Sequence, residues 1–258
     1  MTEKRERNDT TMQQGIYTVL SNNRIAKNTY EMALSGDTSA LSRPGQFLNI
    51  RLDGFYLRRP ISVCDYEEGR AVIVYKTVGA GTEAMAALAT GAKLDILMGL
   101  GNGFDTSKST DTPLLIGGGA GVPPMYGLAK RLVAEGKKPA VILGFNTEEE
   151  IFYEQEFKEL GVTLYLATAD GSRGTKGFVT DVMKRLTYGY FYTCGPMPMF
   201  RAIESIAVTG GEYSFEERMG CGFGACMGCS CETLTGGYKR ICKDGPVLER
   251  EEIRWTQA

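Results

Sequence analysis

Four cysteines late in this 258-residue chain constrain it more than any other feature. Cys221, Cys226 and Cys229 stand in the run C-G-F-G-A-C-M-G-C, and Cys242 follows in I-C-K-D-G-P. Read as C-x4-C-x2-C…C, this is the thiolate spacing that holds a plant-type [2Fe–2S] cluster. Thiolates are soft donors that suit iron, and tetrahedral sulfur ligation suits each iron of a two-iron cluster. Gly222, Gly224 and Gly228 lie between the ligands, where a wrapping loop needs backbone angles that glycine adopts cheaply. Bare backbone also lets N–H groups point at sulfur. Scattered core cysteines are the plain alternative, yet five of the seven fall between Cys221 and Cys242. A four-cysteine zinc site also competes, although zinc usually takes paired short spacings and the first gap here is four residues. Cys231 is a spare thiol that the pattern leaves out.

The chain is long enough for two ordinary domains and a small appendage. Its net charge of −2 and pI of about 5.5 give no sign of a nucleic-acid or anionic-membrane partner. No apolar run approaches the length of a membrane span. The polar start M-T-E-K-R-E-R-N-D-T-T lacks the apolar core of a signal peptide and reads as a frayed tail up to about Gln14. Free thiols without an export signal predict a reducing cytoplasm. The chain has no histidine at all. That removes histidine-ligated haem, Rieske clusters, most catalytic zinc sites and every Ser-His-Asp triad.

Two rhythms organise the rest. From Gly15 to Lys108, short apolar stretches (Ile16–Leu20, Phe47–Leu52, Ala71–Lys76) alternate with turn residues. They predict an antiparallel β-barrel or sandwich, interrupted by a helix near Gly81–Ala89. After a boundary at Ser109–Pro113 the pattern becomes alternating strand and helix. Strands are expected at Leu114–Ile116, Ala140–Phe145, Val162–Ala167 and from Tyr190 into the turn at Pro196. Helices are expected near Pro124–Glu135, Glu148–Leu160, Gly177–Leu186 and Met197–Ala207. This is the signature of a parallel sheet covered on both faces. The expected domains are 15–108, 112–210 and a cysteine module at 211–258.

The loop I-G-G-G-A-G-V-P-P (Ile116–Pro124) sits at a strand end before a helix, where free N–H groups and the helix dipole favour an anion. Gly117, Gly118, Gly119 and Gly121 would let the backbone approach a pyrophosphate, although the spacing is not G-x-G-x-x-G and a tight turn is the plain reading. T-C-G-P-M-P-M (Thr193–Met199) lies at another strand's carboxyl end, where open α/β sheets bind ligands. There Cys194 can face a nicotinamide or simply be a small buried residue. R-R-P-I-S-V-C (Arg58–Cys64) carries arginines able to pair with phosphate and a serine able to bond a ring edge. Gly81 and Thr82, at a helix start, are a further anion candidate. Arg173 and Lys176 could meet a 2′-phosphate or be solvated loop charges, which leaves NAD against NADP open.

Together, R-x-x-S in a barrel, G-G-G-x-G-x-x-P in a sheet domain and a late C-G-P resemble the ferredoxin–NADP reductase superfamily. E-E-R-M-G-C-G-F-G-A-C-M-G-C and I-C-K-D-G-P-V resemble the electron-transfer subunits of NAD-dependent (class B) dihydroorotate dehydrogenases, over about Gly15–Ile253. The resemblance implies an antiparallel FAD-binding barrel, a parallel-sheet NAD-binding domain and a small C-terminal [2Fe–2S] module. It implies FAD contacts from Arg59, Pro60, Ile61 and Ser62, from Val74, Tyr75 and Lys76, and from Gly81 and Thr82. It implies NAD at the glycine loop and at Cys194, Gly195 and Pro196, with Cys221, Cys226, Cys229 and Cys242 on the cluster. It further implies an FMN-containing catalytic subunit that oxidises dihydroorotate in pyrimidine synthesis, in a two-plus-two heterotetramer. Electrons would run from that FMN through the cluster and FAD to NAD⁺. Ile61 departs from the superfamily, many of whose members stack an aromatic residue on the flavin there. The alternative is a ferredoxin- or hydrogenase-linked flavin reductase subunit; those often carry Asp at the first cluster ligand, and Cys221 argues against them.

Overall fold

The computed structural model describes residues 12–255; most of the expected N-terminal tail lies outside them. Gln13 and Gln14, assigned to that tail by sequence, already belong to the first strand, and Gln14 donates to the Asp95 carboxylate at 3.0 Å. The first strands are β1 (Gln13–Ala26), β2 (Thr29–Ser35), β3 (Phe47–Ile50), β4 (Arg59–Glu67), β5 (Arg70–Lys76) and β6 (Lys93–Leu100). They close an antiparallel barrel in the order β1-β2-β5-β4-β3-β6. Alternation explains the closure: Tyr17, Val19, Met32, Leu34, Leu48, Ile50, Ile73 and Ile96 fill the interior from every second position. Helix α1 (Ala80–Ala86) follows β5.

The second unit holds β7 (Leu114–Gly118), α2 (Val122–Ala134), β8 (Ala140–Phe145), α3 (Glu154–Glu159), β9 (Thr163–Thr168), β10 (Thr175–Lys176), α4 (Val179–Met183), β11 (Phe191–Cys194) and α5 (Met197–Glu204). Its strands are buried on both faces, which explains their unbroken apolar sequences. Leu115, Val141 and Leu143 face α2, and Leu114, Ile116 and Ile142 face α4 and α5. The sheet order is β10-β9-β8-β7-β11-β12-β15, with β12 at Gly211–Ser214 and β15 at Val247–Glu249. The expected junction at Gly211 therefore falls at the start of a sheet strand. β15 lies antiparallel on β12, with Ser214 opposite Val247. Between them run the cysteine loop, the hairpin β13 (Ser230–Glu232) and β14 (Tyr238–Arg240), and α6 (Ile241–Asp244).

The helix expected over Glu148–Leu160 is broken. Tyr153 has φ of +64°, a left-handed backbone that ends any right-handed run. Tertiary contacts hold it there: its ring packs edge-on to Tyr126 and Phe152, and its hydroxyl donates to Glu31 of the barrel at 2.6 Å. Only a 3-10 turn at Glu148–Glu150 and the short α3 remain. The two units are also joined where α2 seats on β4; a Cβ on Gly127 would lie 2.5 Å from the Cys64 carbonyl oxygen. At the seam with β12, Glu212 is buried and accepts from the Asp105 N–H at 3.0 Å, with Lys108 at 3.9 Å. Burial pushes its carboxyl up to about 7.

Candidate functional site

A cleft of about 490 Å³ opens at the carboxyl ends of β7, β8 and β11. The glycine loop and the Cys194–Pro196 turn meet there backbone to backbone. A Cβ on Gly121 would lie 2.0 Å from the Cys194 carbonyl oxygen, and one on Gly118 would lie 2.5 Å from Met199 Sδ. Pro123 and Pro124 fit the first turn of α2, where no backbone donor is lost. Gly117 is buried under Val122, while Gly119 and Ala120 line the cleft with Pro196. Cys194 is 1% exposed, packs in the core with Val122 and Met125 of α2 and does not line the cleft; burial pushes its thiol well up, so it is the small buried residue and not a group facing a nicotinamide.

The cleft also holds charges that the motifs did not reveal. Lys76 reaches it from the barrel and pairs with Glu150 at 2.8 Å, and a Cβ on Gly119 would lie 3.8 Å from Lys76 Nζ. Burial pushes the Glu150 carboxyl up, but Lys76 and Asn146 outweigh it and hold it below its ordinary value. Glu216 stands in the cleft near Cys194, and the protein around it pushes its carboxyl up. Arg173 is engaged by Glu154 at 3.0 Å, and the stem of Lys176 lies against Gly171. Neither Arg173 nor Lys176 lines the cleft.

Beside the cleft the barrel wall parts. The β4–β5 ladder ends at Val63 opposite Ile73, while Arg59–Ser62 pair with β3 instead. Continued, that ladder would join Ser62 to Val74, Ile61 to Tyr75 and Pro60 to Lys76. The two expected flavin segments therefore face each other across an unpaired stretch of backbone. Val74 and Tyr75 bury their side chains, Val74 toward α2 and Tyr75 inside the barrel, so a ligand can meet only their main chain. Ile61 packs partly against the barrel core. Arg59 lies over Phe55 with its guanidinium carbon 4.8 Å from the ring centre, and a Cβ on Gly81 would lie 2.1 Å from its Nε. Arg59 and Gly81, 22 positions apart in sequence, are thus adjacent. The Thr82 hydroxyl accepts from the Val78 N–H at 2.9 Å and closes its own turn. Arg58 is structural: it donates to the Asp95 carbonyl and carboxylate, both at 2.9 Å. The seam thus offers a guanidinium beside a glycine and two lengths of main chain free of a strand partner.

The cysteine loop gathers its thiols in two pairs. The Cys221 and Cys226 thiols are hydrogen-bond partners, as are those of Cys229 and Cys242, and all four are free. Backbone N–H groups point at sulfur: Ala225 to Cys221 Sγ at 3.2 Å, Cys221 and Gly228 to Cys226 Sγ at 3.4 and 3.5 Å, and Cys242 to Cys229 Sγ at 3.3 Å. Met227, at φ +59°, and Gly222 and Gly224 supply the left-handed turns that aim them. At Cys221 burial pushes the thiol up, but the Phe223 and Cys226 N–H groups and the Cys226 thiol outweigh it and lower it to about 6. Burial and the Cys229 thiol push Cys242 up to about 12. Arg240 clamps the loop through the Gly224 carbonyl at 2.8 Å. Among the described residues, no three His, Cys, Asp or Glu side chains converge as a single ion requires. Two-by-two thiols with N–H donors at sulfur suit a binuclear iron–sulfur cluster better than one zinc ion. Cys231 lies on β13, outside both pairs. Among the described residues, which include all seven cysteines, no disulfide forms, and no helix is long and apolar enough to cross a membrane.

Comparison with known proteins agrees with this layout. A family model described as the iron-sulfur cluster binding domain of dihydroorotate dehydrogenase B matches residues 216–254, and an oxidoreductase NAD-binding domain matches 115–205. The chain is 46% identical to the Fusobacterium nucleatum protein named dihydroorotate dehydrogenase B (NAD(+)), electron transfer subunit, over 92% of this chain and 96% of that one. It is 44% identical to a Geobacillus protein of the same name, over 94% and 99%. Among solved structures, an NADH-dependent reduced ferredoxin–NADP oxidoreductase described for flavin-based electron bifurcation superposes with a TM-score of 0.84 at 30% identity, covering 93% of this chain and 90% of that one. The FAD/NAD-binding domain of a Vibrio cholerae nitric oxide dioxygenase shares the fold at a TM-score of 0.66 and 19% identity, over 75% and 92%.

Proposed function

The chain belongs to the electron transfer subunits of NAD-dependent dihydroorotate dehydrogenase B, and from that membership we propose how its residues divide the work. The family makes it an oxidoreductase subunit of pyrimidine biosynthesis that binds NAD and an iron–sulfur cluster. Its name implies a catalytic partner. We assign that partner an FMN and a two-plus-two assembly with this chain. Cys221 and Cys226 would hold one iron of a [2Fe–2S] cluster, and Cys229 and Cys242 the other. FAD would lie in the parted barrel wall, with Arg59 at its phosphates and the main chain of Pro60–Ser62 and Val74–Lys76 along its ring. NAD would lie over Gly117–Gly121 and Cys194–Pro196.

When bound, flavin and cluster supply the conversion between the two-electron hydride of a nicotinamide and single electrons exchanged with the partner. The chain's own residues orient and insulate. The Gly118–Gly119 backbone can approach a pyrophosphate because neither residue carries a Cβ, with the small Ala120 beside them. Lys76 offers a cation beside that loop, restrained by Glu150. Cys194 stays neutral in the core beneath the turn.

The single observation that carries this reading is the two-by-two arrangement of thiols with N–H groups on sulfur. The test is composition. Anaerobically purified chain should carry about two iron, two sulfide and one FAD per chain, and should gain dihydroorotate:NAD⁺ activity only with its catalytic subunit. A colourless preparation with stoichiometric zinc would refute it.

A further inference from the structure

Asn49 is a polar residue in a wall that is otherwise apolar. Leu48 and Ile50 point into the barrel, which turns Phe47 and Asn49 outward. Phe47 packs in the same core as Cys229 and Cys242. Asn49 is 1% exposed. Its Nδ2 donates to the Cys221 carbonyl at 3.2 Å, across 172 residues of sequence. Its Oδ1 is buried and has no partner. Its neighbour in the loop, Gly222, has φ of +78°, and a Cβ there would lie 2.3 Å from Asn49 Nδ2. The backbone beneath is fixed as well, because Arg58 Nη1 donates to the Asn49 carbonyl at 3.4 Å. In register, Asn49 sits opposite Pro60, and Ser62 lies two positions further along the same face.

A buried acceptor without a partner costs about 1–3 kcal/mol, so a residue chosen for stability would be apolar here. We propose that Asn49 is a positioning residue: its amide fixes the backbone of the first cluster ligand, Cys221, against the strand pair that carries Pro60 and Ser62. This rests on the cluster and flavin assignments above. One side chain then sets the separation and orientation of two electron carriers held by different parts of the fold. Gly222 is the complementary half, since any side chain there would push the loop off the amide.

The experiment uses the full chain, purified anaerobically, with Asn49→Leu as the main variant and Gly222→Ala approaching the same contact from the loop side. Asn49→Leu keeps the branched shape and removes the unpaired oxygen, which offsets the lost bond to the Cys221 carbonyl, so the fold and flavin content should hold. Iron content should also hold. The EPR signal of the dithionite-reduced cluster should shift or broaden. In stopped flow with NADH, flavin bleaching should keep its rate while the later cluster reduction slows several-fold, because electron transfer weakens steeply as two carriers move apart. Gly222→Ala should move the same EPR signal. Unchanged EPR and cluster-reduction rate in both variants would overturn the proposal. Loss of iron from both variants would also overturn it, since Asn49 would then serve loop folding rather than placement. Wild-type chain lacking iron would instead refute the cluster reading itself, a failure visible before any variant is made.

Discussion

The two glycine-rich loops of this molecule are built on opposite principles. The dinucleotide loop, Gly117–Gly121, is pressed between β7, α2 and the Cys194–Gly195 backbone, with Cβ-to-atom distances that would fall below 3 Å at Gly117, Gly118 and Gly121. Its shape is complete in the polypeptide alone. The cysteine loop, Cys221–Cys229, is largely exposed, with Phe223 45% and Met227 55% open to solvent. It is tied down by Asn49 at one carbonyl and Arg240 at another, and its thiols face each other in pairs. One loop is preorganised by packing; the other needs its inorganic guest as a structural member. A nucleotide can come and go without disturbing the first, whereas the second must stay loaded.

That contrast can be broken most severely at Cys226. Cys226→Ser should abolish cluster assembly and lower partner-coupled dihydroorotate:NAD⁺ turnover by more than about 100-fold, an effect of at least ~3 kcal/mol on the coupled barrier. NADH oxidation with an artificial dye should fall far less. Full coupled activity in the variant would sink the relay assignment. Next in size is chelation: stripping iron should raise hydrogen exchange across residues 216–246 while β7 and β8 keep their protection. Equal loss of protection in both regions would erase the distinction between the loops. Gly121→Ala probes the packed loop. A Cβ 2.0 Å from the Cys194 carbonyl oxygen forces the backbones apart, at about 3 kcal/mol. A tenfold or greater rise in KM for NADH, with the cluster spectrum unchanged, is expected; an unaltered KM would show that the close approach is unimportant.

The smallest effect concerns the seam between the two regions. Glu212 has a folded-state pKa raised from 4.5 to about 7 by burial. Between those values the folded chain keeps a proton that the unfolded chain has released. Stability should therefore fall as pH rises from about 4.5 through 7 and level off above. Glu212→Gln should flatten that slope and stabilise the protein at pH 8 by about 2 kcal/mol. A melting temperature that climbs over this range in the wild type, or an unchanged slope in the variant, would show the carboxylate to be better solvated than its burial implies.

Much of this was legible from residue order because its causes are local. Buried parallel strands must read as apolar runs, so Ala140–Phe145 is predicted to the residue. Glycine before a doubled proline marks the turn into α2. The cysteine spacing singled out the four thiols, but their pairing across the 13 residues from Cys229 to Cys242 was not legible in it. What was hidden depends on register and on partners far along the chain. Tyr153 breaks an acidic segment with good helical character because Glu31, on another domain, holds its hydroxyl. Val74 and Tyr75 present only backbone because the barrel's alternation places their side chains elsewhere. Asn49, Lys76 and Glu216 gain their meaning from strands and loops that meet them only in three dimensions. Strands as short as β12 and β15 carry too few residues for periodicity to show, and they pair across the whole cysteine segment.

Ser214 and Val247 face each other at one sheet edge, so everything between them leaves the reductase framework and returns to it at the same spot. The iron-binding part, matched over residues 216–254, therefore carries its own strand, β15, back onto the sheet edge and does not trail as a free tail. Replacing residues 215–246 with a tight hairpin turn should keep β12 paired with β15 and the strand order intact while removing the one-electron outlet.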